Sequence, residues 1–424
     1  MKEITQKEFD QEVLNGGKVA VDFYSSDCPP CEALAPKFEN LSTLYGEDIR
    51  FVKIFRQENR ELAEKLGIKG SPTVIFYDNG KLVGEKLTGG IKRSELIQNL
   101  NAMLRPERVA EITRKIEPTV SEYDALILGG GPGGLTAGLY LCQARVKAVL
   151  VDIMLPGGQI SSTHKISNYP GFIEPQPGFM LAHYMSEQTK ICGAKYKVAV
   201  DVADVDLINK TIVVDEYETI HAKKIILATG ASPKYLNVPG EKELKGNGIS
   251  YCATCDAKYF VGKEVIIIGG GNTAIEEADF IAKFAGKVTI IHQFDKLQAN
   301  KEAQEKAFAN KKINFIFDTE PRGFEKDGDT IKVATENIKT GEKSTLVSDG
   351  VFIFVGMKPN TDLFADSVET DEWGYVKTNE DMLTTIDGVY AVGDLRSKKY
   401  RQITTAVADG TIAAISVTKE LDSF

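Results

Sequence analysis

The sequence predicts an α/β protein of about three domains, and three observations lead to this expectation. The chain has 424 residues, more than one compact core normally holds. Its first hundred residues alternate short apolar strands with amphipathic helices. Two later segments, beginning at Gly129 and Gly269, each join a buried strand to a helix through a glycine-rich turn. We therefore expect a small N-terminal domain followed by two three-layer nucleotide-binding domains.

The N-terminal elements follow from apolar spacing and turn residues. The pattern predicts strands at 18–24, 50–55, 73–77 and 82–87, and helices at 31–45, 58–66 and 92–104. Asp78-Asn79-Gly80-Lys81, between the last two strands, is a hairpin-turn signal. Residues 105–121 are charged, contain two prolines and lack a clear apolar face. They predict a linker with some helical character, which would reach about 55–60 Å if extended.

Composition argues against several classes of function. The chain is 42% hydrophobic and 26% charged, an ordinary globular mixture, and its net charge of −9 disfavours nucleic acid as a partner. No apolar run reaches the roughly 18 residues of a membrane-spanning helix. The first ten residues lack the apolar core of a signal peptide. We therefore expect a cytoplasmic protein without a membrane or nucleic-acid partner.

Two Cys-x-x-Cys pairs carry the reactive chemistry. Cys28 and Cys31 begin a predicted helix after a buried strand, and Cys252 and Cys255 lie near the second glycine-rich turn. A helix N-terminus lowers the pKa of a thiol, which favours redox exchange. Zinc normally needs four ligands, and no histidine stands at ligand spacing beside either pair, so we expect no metal. Asp256 is a candidate proton shuttle, with a helix-capping acid as the alternative.

The first glycine-rich turn predicts a dinucleotide site. Gly129, Gly131 and Gly134 follow an apolar strand, and Asp152 ends the next strand at the spacing expected of a ribose-binding acid. Glycine lets the backbone approach a pyrophosphate, and the helix N-terminus stabilises its charge. A tight turn without a ligand is the alternative, which this context disfavours.

The second turn repeats the pattern without its usual specificity residue. Its candidate binding residues are Gly269, Gly271, Asn272, Thr273 and Ala274. The next strand ends at His292, where NAD usually calls for an acid and NADP for an arginine. Lys296 is a candidate phosphate ligand, although a solvated surface lysine is the simpler interpretation.

Residues 1–104 resemble a thioredoxin domain. The matching segments are Val21-Asp22-Phe23-Tyr24, Pro36 in the following helix and Ser71-Pro72-Thr73. The resemblance implies a thioredoxin fold in which Cys28 is the nucleophile, Cys31 the resolving thiol, Asp22 a buried acid and Pro72 a cis proline beside the dithiol. The chain departs from the usual Trp-Cys-Gly-Pro-Cys at Asp27 and Pro29. The negative charge of Asp27 disfavours a thiolate on the neighbouring Cys28. We therefore expect partner choice and redox potential to differ from those of ordinary thioredoxin.

Residues 122–424 resemble low-molecular-weight thioredoxin reductase. The matching segments are Gly157-Gly158-Gln159, Asn168-Tyr169-Pro170-Gly171, Ala228-Thr229-Gly230, Tyr251-Cys252-Ala253-Thr254-Cys255-Asp256, Val392-Gly393-Asp394 and Arg401-Gln402. The resemblance implies a homodimer, with an FAD domain at 122–234 and 358–424 and an NAD(P)-type domain at 235–357. It assigns FAD contacts to Gly158, Gln159, Asn168, Gly393, Asp394, Arg401 and Gln402. It also implies that Cys255 faces the flavin and Cys252 attacks the thioredoxin disulfide.

The family's NADPH pattern, His-Arg-Arg-x-x-x-Arg, is broken in this chain. Gln293, Phe294 and Gln298 occupy the three arginine positions. Charge-assisted contacts contribute about 1.5–3 kcal/mol each, so their loss predicts that NADH is favoured over NADPH. The acid typical of NADH sites is missing too, which leaves reduced ferredoxin as an alternative donor.

These observations predict a thioredoxin reductase fused to its own thioredoxin. Electrons would pass from NADH through FAD to Cys252–Cys255, then to Cys28–Cys31 and to disulfide-containing target proteins. One alternative is a flavoprotein subunit resembling alkyl hydroperoxide reductase, which would reduce a peroxiredoxin. Those subunits carry a double thioredoxin fold, whereas this chain has a single unit. A flavin-bound redox sensor is the other alternative, which two intact dithiols disfavour.

Overall fold

The computed structural model describes residues 1–163, 166, 168–251 and 253–422, without the side chains of Ser162, Thr254 and Cys255. The chain divides into two compact units. The first comprises Met1–Gly158, Ala182–Gly230 and Thr361–Phe424, and the second comprises Gln159–Leu181 and Ala231–Asn360. Residues 1–114, called the head below, belong to the first unit. We call the rest of that unit the first nucleotide domain, and the second unit the second nucleotide domain.

The elements of the head alternate as predicted. They are β1 (Lys2–Glu3), β2 (Lys18–Tyr24), α1 (Pro29–Tyr45), β3 (Arg50–Phe55), α2 (Arg60–Lys65), β4 (Thr73–Asp78), β5 (Lys81–Thr88), α3 (Arg93–Ala102) and α4 (Pro106–Arg114). The five strands form one sheet in the order β1-β3-β2-β4-β5. At the predicted hairpin, Asn79 and Gly80 adopt positive φ angles of 49° and 76°, as a tight turn between antiparallel strands requires. Helix α1 begins two residues earlier than predicted, because prolines suit the first helical turn.

Residues 105–121 have the helical character that the sequence predicts, but most of the segment is anchored to the head. Residues 105–121 are not a free linker, since α4 occupies most of them. Ile112 is fully buried in the core of the head, and the Arg108 guanidinium lies 2.8 Å from the Asp48 carboxylate. A single buried side chain and the ion pairs of Arg108 with Asp48 and Glu47 anchor this helix, which is why the sequence showed no apolar face. Only residues 115–118 separate α4 from the next strand, a reach of about 13–14 Å.

The two nucleotide domains contain the remaining elements. Before residue 240 these are β6 (Thr119–Leu128), α5 (Pro132–Gln143), β7 (Ala148–Asp152), α6 (Gly178–Cys192), β8 (Lys195–Val198), β9 (Val202–Asp206), β10 (Thr211–Val214), β11 (Glu218–Leu227) and β12 (Ala231–Pro233). Next come β13 (Ile249–Ser250), α7 (Ala253–Asp256), β14 (Glu264–Ile268), α8 (Asn272–Ile281), β15 (Lys287–Ile291), α9 (Lys301–Ala309) and β16 (Ile313–Ile316). The last are β17 (Thr319–Asp327), β18 (Thr330–Asn337), β19 (Lys343–Ser348), β20 (Gly350–Ile353), β21 (Met357–Pro359), β22 (Val389–Ala391) and α10 (Ile403–Asp422).

Parallel strands form the centre of each nucleotide domain. In the first, the sheet runs β8-β7-β6-β11-β10-β9, with β22 parallel to β11. In the second, β13-β20-β14-β15-β16 form a parallel sheet, and β17-β18-β19 form an antiparallel one. Four successive residues of β14, Val265 to Ile268, are buried, as expected for a strand covered on both faces. The α/β class expected from the sequence is confirmed. No helix in the described part of the chain has the length and apolar character needed to cross a bilayer.

The anchoring of α4 predicts a specific mutational effect. Ile112→Ala should destabilise the head by about 2–5 kcal/mol, because it leaves a cavity at a fully buried position. Hydrogen exchange of the head's backbone amides in the full chain would measure this loss of protection. Glu107→Ala, at an exposed position of the same helix, is the matched control and should change little. Equal protection in both variants would contradict the anchoring of α4 through Ile112.

Candidate redox and dinucleotide sites

The first dithiol lies at the N-terminus of α1. Cys28 and Cys31 are joined by a disulfide, and each is only 8% exposed. Cys28 is the N-cap residue, and the backbone N–H of Cys31 points at its Sγ atom at 3.3 Å. After reduction, this N–H and the positive end of the helix dipole would stabilise a thiolate on Cys28.

The segment around Pro72 lies beside this disulfide. The Ser71–Pro72 peptide is cis, and the Cys28 Sγ lies 3.6 Å from the Ser71 carbonyl oxygen. The sulfur of a disulfide has no proton, so this contact is not a hydrogen bond in the oxidised protein. The backbone N–H of Gly89 donates to the Pro72 carbonyl at 3.3 Å, which brings a third segment to the same face.

Asp22 lies inside the sheet of the head. It is 3% exposed on β2, and its register partner on β4 is Val74, two residues after Pro72. Its Oδ1 has no hydrogen-bond partner among the described residues. Burial raises the pKa of Asp22 to about 7, and the positive charge of Lys53 opposes this shift only in part. Asp22 can therefore take up or release a proton near neutral pH.

The second dithiol lies largely outside the described part of the chain. Cys252 is outside the described residues, and the side chain of Cys255 is as well. The backbone of Cys255 belongs to α7, which ends at Asp256. The redox roles of these residues therefore stay predictions.

The first glycine-rich turn has the geometry of a phosphate cradle. A side-chain atom on Gly134 would lie 2.0 Å from the Gly129 carbonyl oxygen, so only glycine allows α5 to approach β6 this closely. Gly131 caps α5 and faces open space, since a side-chain atom placed on it would have no other atom of the described residues within 4 Å. The Asp152 Oδ2 accepts from the backbone N–H of Gly130 at 2.5 Å. Burial raises the pKa of Asp152, although hydrogen bonds from two backbone N–H groups oppose the shift.

A second loop of the first nucleotide domain reaches the same helix. A side-chain atom on Gly133 would lie 3.6 Å from the backbone nitrogen of Gly393, which places the Gly393–Asp394 turn beside the start of α5. Burial raises the pKa of Asp394. Arg401 reaches back to this turn, since its Nε donates to the Asp394 carbonyl at 3.4 Å.

The other residues expected to contact FAD fall into two groups. Gly158 and Gln402 belong to the first nucleotide domain, and a side-chain atom on Gly158 would lie 3.0 Å from the Gly131 Cα. Gln159 and Asn168 belong to the second unit. There the Gln159 side-chain amide donates to the Ala231 carbonyl at 2.8 Å.

The residue that holds the Gly393–Asp394 turn was not predicted from the sequence. Asp409, on α10, is 6% exposed and accepts from the backbone N–H of Gly393 at 3.0 Å. It also pairs with Arg396 and Lys398 at 2.8 Å each. The only signal in the sequence was an acidic residue within the apolar pattern of α10, followed directly by Gly410. A side-chain atom at Gly410 would lie 2.2 Å from the Gly133 carbonyl oxygen, so α10 packs closely on α5.

The second glycine-rich turn repeats the first with a different residue at its specificity position. Gly271 caps α8 and faces open space, and Ala274 is fully buried at the turn. Asn272 and Thr273 are exposed in the first turn of the helix. The Asn272 Oδ1 accepts from the backbone N–H of Asn300 at 2.7 Å.

His292 occupies the place that Asp152 has in the first domain. Asp152 stands 22 residues after Gly130, and His292 stands at the same separation from Gly270. A side-chain atom on Gly270 would lie 2.5 Å from the imidazole ring, so His292 packs directly on the turn. Burial lowers the pKa of His292, which disfavours its charged form. Its Nε2 has no hydrogen-bond partner among the described residues.

The three positions at which the family's NADPH pattern has arginines carry uncharged side chains in this chain. Gln293, Phe294 and Gln298 are exposed after β15, and the Phe294 ring lies 5.3 Å from the His292 ring. Lys296 is also exposed on this loop. Within the described residues, no group of three or more His, Cys, Asp or Glu side chains is arranged to hold a metal ion.

Comparison with known proteins defines the family. Residues 123–410 match the model of the pyridine nucleotide-disulphide oxidoreductases, and residues 1–102 match the thioredoxin model. A thioredoxin reductase of Peptoclostridium litorale is 45% identical over 310 residues, covering 71% of this chain and 97% of that protein. A thioredoxin reductase of Peptoclostridium acidaminophilum is 43% identical over 308 residues, covering 71% and 98%.

A solved structure agrees with these relatives. The crystal structure of Lactococcus lactis thioredoxin reductase (FR conformation) is 40% identical and has a TM-score of 0.67, covering 71% of this chain and all of that one. Both resemblances proposed from the motifs are therefore confirmed, as is the predicted order of the folds. The family implies FAD and NAD(P)H as cofactors. The chain belongs to the thioredoxin reductase family of flavoprotein disulfide oxidoreductases and carries a thioredoxin domain at its N-terminus.

Proposed function

We propose that this fusion is an internal electron relay. Electrons from NADH reduce the Cys252–Cys255 disulfide by way of FAD, and the resulting dithiol reduces Cys28–Cys31 of the head. The head then reduces disulfides of target proteins, with a peroxiredoxin as one candidate target. The observation that carries the proposal is a thioredoxin domain with an intact Cys28–Cys31 pair in the same chain as its reductase. We expect a cytoplasmic homodimer, as the sequence predicted.

The residues of the first nucleotide domain fit FAD. The open space before Gly131 and the N-terminus of α5 suit a pyrophosphate, and Asp152 suits a ribose hydroxyl. The Gly393–Asp394 turn, held by Asp409, lies beside the same helix end. When bound, FAD supplies the chemistry that couples nicotinamide oxidation to disulfide reduction. We assign further contacts to Gly158, Gln159, Asn168, Arg401 and Gln402.

The handover between the dithiols is a balanced exchange. The Cys252 thiolate attacks the Cys28 sulfur, a mixed disulfide forms, and Cys31 leaves as a thiolate. Cys255 then attacks Cys252, which closes the Cys252–Cys255 disulfide and releases Cys28. The head gains two electrons and two protons, and Asp22 is suited to exchange one of these protons.

The second nucleotide domain supports NADH over NADPH. A 2′-phosphate needs cations, and the loop after β15 has Gln293, Phe294 and Gln298 where the family has arginines. His292 is packed against the turn and its pKa is lowered, so it does not replace them as a cation. Because His292 also replaces the ribose-binding acid, reduced ferredoxin is the alternative donor.

The relay predicts that the head is required for reducing target proteins. In the double variant Cys28→Ser and Cys31→Ser, NADH-driven reduction of insulin disulfides should fall at least about 100-fold, because no dithiol remains to pass electrons on. Bleaching of the flavin by NADH should be unchanged. Cys142→Ser, a half-buried thiol of the first nucleotide domain, is the control and should retain activity. Insulin reduction at the normal rate in the double variant would show that Cys252–Cys255 serves targets directly.

The donor assignment predicts a gain of NADPH use on restoring the arginines. The triple variant Gln293→Arg, Phe294→Arg and Gln298→Arg should raise kcat/KM for NADPH at least about tenfold, since each charge-assisted contact contributes about 1.5 kcal/mol or more. Anaerobic flavin bleaching with NADH, NADPH and reduced ferredoxin measures the preference directly. Phe294→Gln removes the ring without adding charge and is the matched control. Fast bleaching of the natural chain by low NADPH would refute the NADH preference, and bleaching by ferredoxin alone would establish the alternative donor.

The raised pKa of Asp22 predicts a pH-dependent stability difference. Above pH 4 the unfolded carboxyl has lost its proton, whereas the folded one keeps it up to about pH 7, so the head loses stability across this window. Asp22→Asn removes the ionisable group. It should stabilise the head by up to about 4 kcal/mol above pH 7 relative to the natural chain, with no gain below pH 4. Hydrogen exchange of the head measures this, with the exposed Asp10→Asn as control. A gain independent of pH would contradict the assignment.

A further inference from the structure

The head contacts a defined surface of the first nucleotide domain within the first unit. We call this the docking surface; it consists of Leu155, Val198, Ala199, Asp201 and Tyr217. Ala33, on α1 of the head, packs against the apolar cluster that contains Val198. At Gly90 of the head, a side-chain atom would lie 3.2 Å from the Leu155 side chain and 3.6 Å from the Ala199 Cβ. The close approach indicates a fitted contact between the two domains.

Lys37 is the central polar residue of this contact. Although it is a lysine on a helix surface of the head, it is only 9% exposed. Its ammonium group donates to the Val198 carbonyl at 2.9 Å, the Ala199 carbonyl at 2.5 Å and, within the head, the Ile91 carbonyl at 3.1 Å. All three of its donors therefore find acceptors, two of them across the contact. Buried lysines need such pairing, so this position of the head is specific.

Other charged side chains of the head also have partners on the first nucleotide domain. Lys92 of the head lies 2.9 Å from the Asp201 carboxylate, and Glu32 pairs with Lys190 on α6. The guanidinium of Arg93 lies 4.6 Å from the centre of the Tyr217 ring, and this arginine is 3% exposed. Each pair joins the head to the first nucleotide domain, and two of the three bring opposite charges together.

The contact borders the head's own disulfide. Cys28 touches Ser71, Pro72 is hydrogen-bonded to Gly89, and the next residue, Gly90, lies against Leu155. A groove of about 410 Å³ is lined by Pro29 and Glu32 of the head together with Leu155 and Lys190 of the first nucleotide domain. A protein disulfide must approach Cys28 across this same face. The first nucleotide domain therefore covers part of the surface that a bulky target needs.

We propose that the docking surface is a built-in binding site for the thioredoxin head, and that the docked head and protein targets compete for the face next to Cys28. The proposal rests on the relay function above, since it concerns when the head is free to serve targets. In the docked position Glu32, the residue after Cys31, pairs with Lys190 on α6. Release of Lys37, Lys92 and Arg93 from the docking surface frees the face for a target.

A cross-link tests whether the docked position exists in solution. The Gly90 and Ala199 Cβ positions are 3.6 Å apart, within the roughly 3.5–4.5 Å of a disulfide. In the full chain with Cys28→Ser and Cys31→Ser, the pair Gly90→Cys and Ala199→Cys should close to a disulfide under mild oxidation, as peptide mapping would show. Gly70→Cys with Ala199→Cys is the control and should stay open, because no atom of the described residues lies within 4 Å of a side-chain atom placed on Gly70. No cross-link in the first pair, or equal cross-linking in both, would overturn the docked position.

Exchanging the charges of the Lys92–Asp201 pair tests whether docking competes with target binding. Asp201→Lys should weaken docking and thereby lower KM for oxidised insulin about fivefold. A head that is docked most of the time binds targets only through its small undocked fraction, so its apparent affinity for them is lower. Flavin bleaching should be unchanged, and adding Lys92→Asp should restore the original KM. Cross-linking with an unchanged KM in Asp201→Lys would overturn the competition. Failure of the relay itself gives a separate result, since the Gly90→Cys and Ala199→Cys variant would then still form the cross-link while the natural chain reduces no insulin.

Discussion

The short, ordered connection between the head and the first nucleotide domain constrains the whole relay. Residues 115–118 are all that separates α4 from β6, a reach of about 13–14 Å. Longer excursions require α4 to leave the core of the head, which exposes Ile112 at a cost of about 1.5–3 kcal/mol. Tethering keeps the effective concentration of the head high for its own reductase, while the anchored helix limits how far it can move.

Close packing of a helix on a strand at glycine residues is the second constraint, and it occurs at both glycine-rich turns. At both turns a helix approaches a strand so closely that a side chain would collide with backbone or ring atoms, and the cap residues Gly131 and Gly271 face open space. The two sites differ at one matched position, which is Asp152 in the first and His292 in the second. The two turns therefore share one frame that suits a dinucleotide, and the matched position is where their chemistry differs.

Local patterns in the sequence were sufficient for much of this structure. Strand β14, the Asn79-Gly80 hairpin and both strand–turn–helix units depend on neighbours in sequence, and they were predicted. Helix α4, the buried Asp409 and the buried Lys37 depend on partners far along the chain, and nothing local in the sequence points to those partners. Lys37 resembles any solvated lysine until Val198 and Ala199 are placed against it. The geometry at Cys252 lies outside the described residues, so the roles of the second dithiol still rest on resemblance.

The most direct test of the relay is a single-turnover thiol-trapping experiment. Oxidised full-length protein is mixed anaerobically with one equivalent of NADH, quenched with an alkylating reagent at increasing times, and mapped by mass spectrometry. The relay predicts that label appears first at Cys252 and Cys255 and then at Cys28 and Cys31, at a rate independent of protein concentration. A head that stays oxidised after the flavin has been reduced, or that becomes labelled only at a rate proportional to protein concentration, would contradict internal transfer.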